Sequence, residues 1–310
     1  MAKLTINHDD PLIHIQGKLS KLLTLLVLCL ITGGVFTLIG GLLVEPIFGE
    51  SILGLQNMES ASANSIKFLQ LFSSIGLFVF PGILFAIFFI DKPMVNLKLT
   101  KEISAWHFLM VALLLYSFLP LVNWTVEFNN QLELPEYLSR LEQWMKNSEN
   151  RAMELTRVFL KMENWGDLTY NILLIGIIPA VGEELIFRGI IQQTINKEAK
   201  NYHIGIWISA ILFSAMHLQF YGFIPRMLLG AFFGYLLVWS KNLWVPIFAH
   251  FLNNTTAVLI AYFVGVDTIE NDLDKIGTTE DTYLVSIVSL VIFSSLLRYY
   301  YRRENSLKKQ

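Results

Sequence analysis

The chain has 310 residues, of which 54% are hydrophobic and only 15% charged, with a mean hydropathy of +0.52. Soluble domains carry roughly 25% charged residues, so an ordinary soluble globular protein is excluded. Lys and Arg number 23 against 25 Asp and Glu, a net charge of -2, which leaves no electrostatic footprint for nucleic acid. The one cysteine, Cys29, excludes an intramolecular disulfide and any cysteine-based metal cluster. Any metal must therefore be held by histidine and carboxylate.

A bilayer-spanning helix needs about 20 mostly apolar residues, and the pattern predicts an all-α, polytopic membrane bundle of about eight such helices. The first apolar run, Leu19 to Val44, exceeds the roughly 7 to 15 residues of a secretory h-region and reads as a permanent anchor. Within this first span (21–44), Gly33-Gly34 and Gly40-Gly41 permit close helix approach. Spans 68–90 and 105–126 follow. The long connection 127–167 reads as two amphipathic helices. One carries the stripe Tyr137, Leu141, Trp144 and Met145, with Pro135 suited to its first position, and the other Leu155, Val158, Phe159 and Met162. They read as interfacial helices lying on the membrane, the other reading being a substrate gate or docking surface. Spans 170–195, 204–220, 223–240, 243–264 and 283–301 complete the set, and turns as short as Tyr221-Gly222 and Lys241-Asn242 make these helices antiparallel neighbours.

The organisation is thus a three-span N-terminal region (1–126), an amphipathic interfacial loop (127–167), a catalytic membrane core (168–265) and a C-terminal span with a basic cytoplasmic tail (266–310). With the N-terminus inside, fourteen Lys and Arg fall on the inner side against eight outside. The positive-inside rule therefore favours both termini in the cytoplasm.

Ionisable residues at the centre of a span cost roughly 2.5 to 3.5 kcal/mol each and mark functional sites by default. His8, His14, His107 and His203 fall in the tail or at boundaries; His217 and His250 lie inside spans, as do Glu183, Glu184 and Arg188. These five groups on three helices must meet one another or line a wet cavity. Glu184 and Arg188 share a helix face at i,i+4, whereas Glu183 points about 100° away and is left free to act as a general base. The bland reading is one buried ionic lock. His217 follows an aromatic ring, Phe213, by one turn, and serves either as an interhelical hydrogen-bonding residue or as a ligand. His250 and Asn254 share a face at i,i+4 and could present two polar groups to one ligand or oxyanion, or simply pack. Asn253, at i+3, is the poorer fit. At about 1.5 Å per residue, Glu183 lies roughly 18 Å from the inner end of its helix, His217 roughly 20 Å, His250 roughly 12 Å and Asn254 near 18 Å, so the groups occupy overlapping layers.

At these residues the sequence resembles the CPBP family of intramembrane proteases, also called the Abi or CAAX-protease family, in its prokaryotic type. The family's three motifs read Glu183-Glu184-x-x-x-Arg188, Phe213-x-x-x-His217 and His250-x-x-x-Asn254, in order and on separate predicted spans. The resemblance covers roughly residues 170–264. It implies an intramembrane endopeptidase, a hydrolase similar to type II CAAX prenyl endopeptidases, that cuts membrane-associated protein or peptide substrates from a cavity open to the cytoplasmic side of a plasma or inner membrane. By the same resemblance, Glu183 would activate water and His217 would assist it. His250 and Asn254 would stabilise the oxyanion, while Glu184 and Arg188 would form a structural ion pair. Glu183, His217 and His250 could instead hold Zn2+, as in a metalloendopeptidase, or act without metal. Two other classes fit the same cluster: a non-catalytic membrane scaffold or bacteriocin-immunity protein, and an ion-coupled transporter, although no internal repeat supports the latter.

Overall fold

In hydrocarbon every backbone N–H and C=O must find its partner within the chain, which leaves helices or closed barrels as spanning structures. A computed structural model describes residues 11–15, 17–51, 54, 61–132, 134–199, 201–266 and 275–306, and among these there is no strand. Lys3, His8, Lys200, Lys308 and Lys309, which the charge and histidine readings used, lie outside the described residues. The helices are α1 (Lys18–Phe48), α2 (Ala63–Ser74), α3 (Phe80–Phe89), α4 (Pro93–Asn96), α5 (Ala105–Asn130), α6 (Ser139–Leu160), α7 (Trp165–Asn171), α8 (Ile178–Glu184), α9 (Gln193–Glu198), α10 (Tyr202–Ala215), α11 (Phe223–Ser240), α12 (Trp244–Phe263) and α13 (Tyr283–Ser306).

Each of the eight predicted segments contains helix, and among the described residues six helices are long and apolar enough to cross a membrane. The other two differ for physical reasons. The segment 165–198 is a helical rod interrupted by π-helical turns at Ile172–Ile177 and Leu185–Gln192. The segment predicted over 204–220 is helical only over Tyr202–Ala215, 14 residues, because Leu218 takes a left-handed backbone (φ 53°) and turns the chain toward α11. Two π turns have a visible cause. Pro179 and Pro81 each sit two residues beyond a π turn, 172–177 and 75–79, and a proline lacks the N–H that would close the bond to the fourth residue before it. Ile175 is that residue for Pro179, so its carbonyl is freed within the helix.

The connection 127–167 holds one continuous amphipathic helix, α6, of 22 residues rather than two. No glycine or proline lies between Ser139 and Leu160 to break it. Pro135 precedes a single 3₁₀ turn, Glu136–Leu138, instead of opening a helix. The C-terminal end of α6 is docked on the bundle. Leu160 is buried, the Lys67 ammonium donates to the Lys161 carbonyl at 2.6 Å, and the Asn171 amide donates to the Phe159 carbonyl. Farther along α6, the Glu149 carboxylate accepts the Tyr221 N–H at 3.2 Å, and Trp144 packs on Phe220 with ring centroids 5.1 Å apart. This helix therefore lies over the turn that leads from α10 into α11.

Helices meet where small residues let backbones approach. A Cβ on Gly182 would come within 2.8 Å of Phe78 and 2.9 Å of Val79, which fixes α8 against the second span. One core cluster gathers Phe85, Leu185, Phe187, Phe213 and Leu243, a second Leu114, Phe233, Leu236 and Tyr300. The opposite faces of α1 and α13 leave Leu23, Leu30, Leu42, Leu284 and Val291 exposed, as helices that face lipid do. The lysine-bearing turns at 90–104 and 241–243 interlock at one end, where the Leu243 N–H donates to the Lys98 carbonyl at 3.0 Å; α6 lies at the other. If the lysine and arginine bias sets the orientation, then in a Cys29→Ser background an impermeant maleimide added to intact cells labels Glu154→Cys on α6 at once, and Lys197→Cys only after the cells are opened. The reverse pattern would contradict the orientation with both termini inside.

Candidate active site

A guanidinium buried in a membrane must be met by a carboxylate and by acceptors for its remaining N–H groups. Arg188 is fully buried, and its Nη1 donates to Glu184 Oε1 at 2.8 Å. Its Nη2 donates to the Gly230 carbonyl on α11 at 2.9 Å, and its Cζ stands 4.5 Å from the centre of the Phe213 ring and 5.5 Å from that of Phe233. Two aromatic faces thus flank the cation. Gly230 is required here, since a Cβ would lie 3.1 Å from Arg188 Nη2 and 3.3 Å from the Ala210 Cα. The contact repeats one turn on, where Gln192 Nε2 donates to the Gly234 carbonyl at 3.1 Å.

Glu184 Oε1 takes a second donor, His250 Nδ1, at 2.9 Å. A carboxylate oxygen accepts, so His250 Nδ1 carries a proton. Nε2 stands 4.0 Å from Glu183 Oε2. The imidazole is held flat against Phe233, with centroids 5.4 Å apart and planes at 22°, and meets the edge of Phe213 at 5.8 Å. His217 lies two residues beyond the last residue of α10, not inside the helix. Its Nδ1 donates to the Phe213 carbonyl at 2.9 Å, and its ring packs edge-on to Phe213 at 5.2 Å. With Nδ1 donating, the neutral His217 ring presents Nε2 as its unprotonated nitrogen.

Asn254 Nδ2 donates to the Ile175 carbonyl at 2.9 Å, the carbonyl that Pro179 leaves without its helical partner. Asn254 Oδ1 accepts from Asn253 at 3.1 Å, so one Asn254 N–H is left over. Glu183, His217, His250 and Asn254 line one cavity of about 340 Å³ that reaches Phe159 of α6. Glu183 is only 7% exposed, so this cavity is its route to water. His107 and His203 are engaged elsewhere, with Glu304 at 3.4 Å and with the Tyr235 hydroxyl at 2.7 Å.

The cavity extends toward α6, at the end opposite the lysine-bearing turns. An orientation with both termini inside and a cavity open to the cytoplasm therefore point to opposite faces. As to a metal, two imidazole Nε2 atoms and a carboxylate suit Zn2+ by donor type. Among the described residues, however, no three His, Cys, Asp or Glu groups are drawn together closely enough to hold an ion, so the residues as placed do not fit it.

The sequence reading missed several participants. Gly230 and Gly234 form a small-x-x-x-small pair that is legible by spacing. Phe233 has only an aromatic identity to announce it. Arg226, on the first turn of α11, lies beside His217 and His250 in a neighbouring cavity; a lone arginine at a span end reads as a topology signal.

Residues 165–256 match the family described as "Type II CAAX prenyl endopeptidase Rce1-like". Two Bacillus subtilis proteins are similar over part of their length. The "Uncharacterized protein YpbD" is 30% identical over 86 residues, 26% of this chain and 41% of that protein. The "Putative membrane peptidase YdiL" is 29% identical over 107 residues, 34% of this chain and 42% of that protein. The matches span about two-fifths of each relative. No solved structure matches the chain. At the family level these likenesses support an intramembrane protease, with the matched segment containing all three motifs.

Replacing Glu184 by Gln leaves the buried Arg188 without its counter-charge. It should cost about 3 to 5 kcal/mol, read as a lowered midpoint of thermal unfolding in detergent. The double change Glu184→Leu with Arg188→Leu removes both charges and should recover at least half of that loss. A double variant no more stable than the single one would contradict the pairing.

Proposed function

We propose that this chain, whose residues 165–256 match the Rce1-like family, is an intramembrane endopeptidase in which Glu183 activates the attacking water. The observation that carries the reading is the division of labour between adjacent carboxylates. Glu184 is occupied by Arg188 and His250, whereas Glu183 faces a cavity shared with both histidines and Asn254. A carboxylate without a fixed cation, next to space for water, is what general-base hydrolysis needs.

A water beside Glu183 Oε2 gives that oxygen a proton as its own oxygen bonds to the peptide carbonyl carbon, and the carbonyl π pair moves to oxygen. The remaining Asn254 N–H supplies a neutral donor to the oxyanion. His217 Nε2, an acceptor in this tautomer, takes the proton from Glu183 and delivers it to the departing amine nitrogen as the C–N bond breaks. The products are a carboxylic acid and an amine, and Glu183 is left ionised for the next cycle. His250, tethered through Nδ1, fixes the wall opposite Glu183. The substrate is a peptide segment of a membrane-associated protein, brought to the cavity past the docked end of α6. If the charge bias sets the orientation, that entry lies on the outer face.

The test is cleavage of a membrane-peptide mixture by the purified protein, followed by mass spectrometry. Wild type should yield defined fragments, while Glu183→Gln and His217→Ala each lower the rate by at least about a hundredfold without loss of fold. Identical fragment patterns in all three samples would make the cluster a binding or structural site instead. A metal chelator such as 1,10-phenanthroline should leave the rate within about twofold, since the chemistry assigned to Glu183 and His217 needs no ion. Inactivation that Zn2+ reverses would overturn the metal-free mechanism.

A further inference from the structure

The two histidines also line a second cavity of about 250 Å³, whose one lysine or arginine is Arg226. Arg226 is held by a neutral partner: Nη2 donates to Gln219 Oε1 at 2.8 Å and Nη1 reaches the Gln219 carbonyl at 3.5 Å. Among the described residues no carboxylate comes within ion-pair distance of it. The charges that act on it, those of Glu149 on α6 and of Glu183, do so without contact. A guanidinium has five N–H donors, and the contacts to Gln219 leave donors for a ligand in the cavity that Arg226 lines. This is the opposite of Arg188, whose carboxylate, carbonyl and aromatic partners enclose it.

We infer that Arg226 is a specificity-determining residue that receives a carboxylate of the substrate close to the bond being cut. The inference rests on the protease reading. A peptide running past His217 and His250 would occupy both cavities, its reacting carbonyl against Glu183 and its flanking residues against Arg226, Phe233 and Asn253. A planar guanidinium in a water-poor pocket pairs with a carboxylate through two parallel hydrogen bonds. The carboxylate can belong to an acidic side chain or to a free C-terminus.

Two pairs of hydrophobic synthetic peptides separate these sources. The first pair is amidated at the C-terminus and differs only as Glu against Gln next to the cleaved bond. The second has a neutral interior and differs only as free acid against amide. For wild type, the carboxylate member of at least one pair should show kcat/KM higher by about tenfold or more, mainly through KM, as charge-assisted hydrogen bonds imply. A preference in the first pair assigns the side chain, in the second the terminus. Arg226→Gln should abolish the preference, and Arg226→Lys should retain part of it. A purely structural Arg226 would slow both members of each pair alike. No preference in wild type, or a preference that survives in Arg226→Gln, overturns the inference while leaving the protease reading intact. Failure of wild type to cut any of the four peptides overturns both.

Discussion

One buried cation organises this protein. Arg188 lies in the middle of a membrane bundle with no exposed surface, and a guanidinium there is tolerable only if its surroundings are built for it. Glu184 answers the charge, the Gly230 carbonyl takes a second N–H, and Phe213 and Phe233 close the remaining faces. These four partners come from three helices, so satisfying one charge fixes the mutual positions of α8, α10 and α11. The same Glu184 oxygen then orients His250. With Glu184 engaged by Arg188 and His250, the neighbouring Glu183, which lines the cavity, is the carboxylate proposed for the chemistry.

The backbone cooperates through its irregularities. Proline at 179 interrupts the helical ladder, and the carbonyl so released at Ile175 receives Asn254 from α12. A proline that would be a defect in a plain span thus ties a polar side chain to the cavity wall. π-Helical turns flank α8 on both sides, and such turns recur at functional sites because they release backbone groups and redirect side chains. Over the open end, α6 is anchored at its C-terminus by Lys67 and Asn171 and touches the His217 turn through Glu149. The helix that borders the cavity is therefore coupled to the loop that positions one of the histidines.

Much of this was legible in the sequence, and the reasons differ by feature. The helical membrane architecture follows from composition and run length, because lipid permits few alternatives. The contact of Glu184 with Arg188 is a local i,i+4 property, independent of the tertiary fold. Helices are rigid rods, so counting residues along them put Glu183, His217, His250 and Asn254 in overlapping layers. What was not legible depends on chain irregularity or distant partners. The end of α10 before His217 turns on a left-handed Leu218, which no periodicity signals. The two apolar stripes of the 127–167 connection read as two helices, yet α6 runs unbroken through the polar residues between them, since polarity without glycine or proline does not stop a helix. The role of Arg226 depends on a cavity formed by three other segments.

The central claim is that a water molecule, placed by Glu183, attacks the peptide carbonyl directly. A single-turnover cleavage in H2¹⁸O, with enzyme in excess of substrate, tests it most directly. The account predicts one ¹⁸O atom in the carboxylate of the newly formed fragment and none in Glu183. An unlabelled fragment from the first turnover, with ¹⁸O found in the Glu183 carboxylate, would mean that the glutamate attacks as a nucleophile through an acyl intermediate and would contradict it.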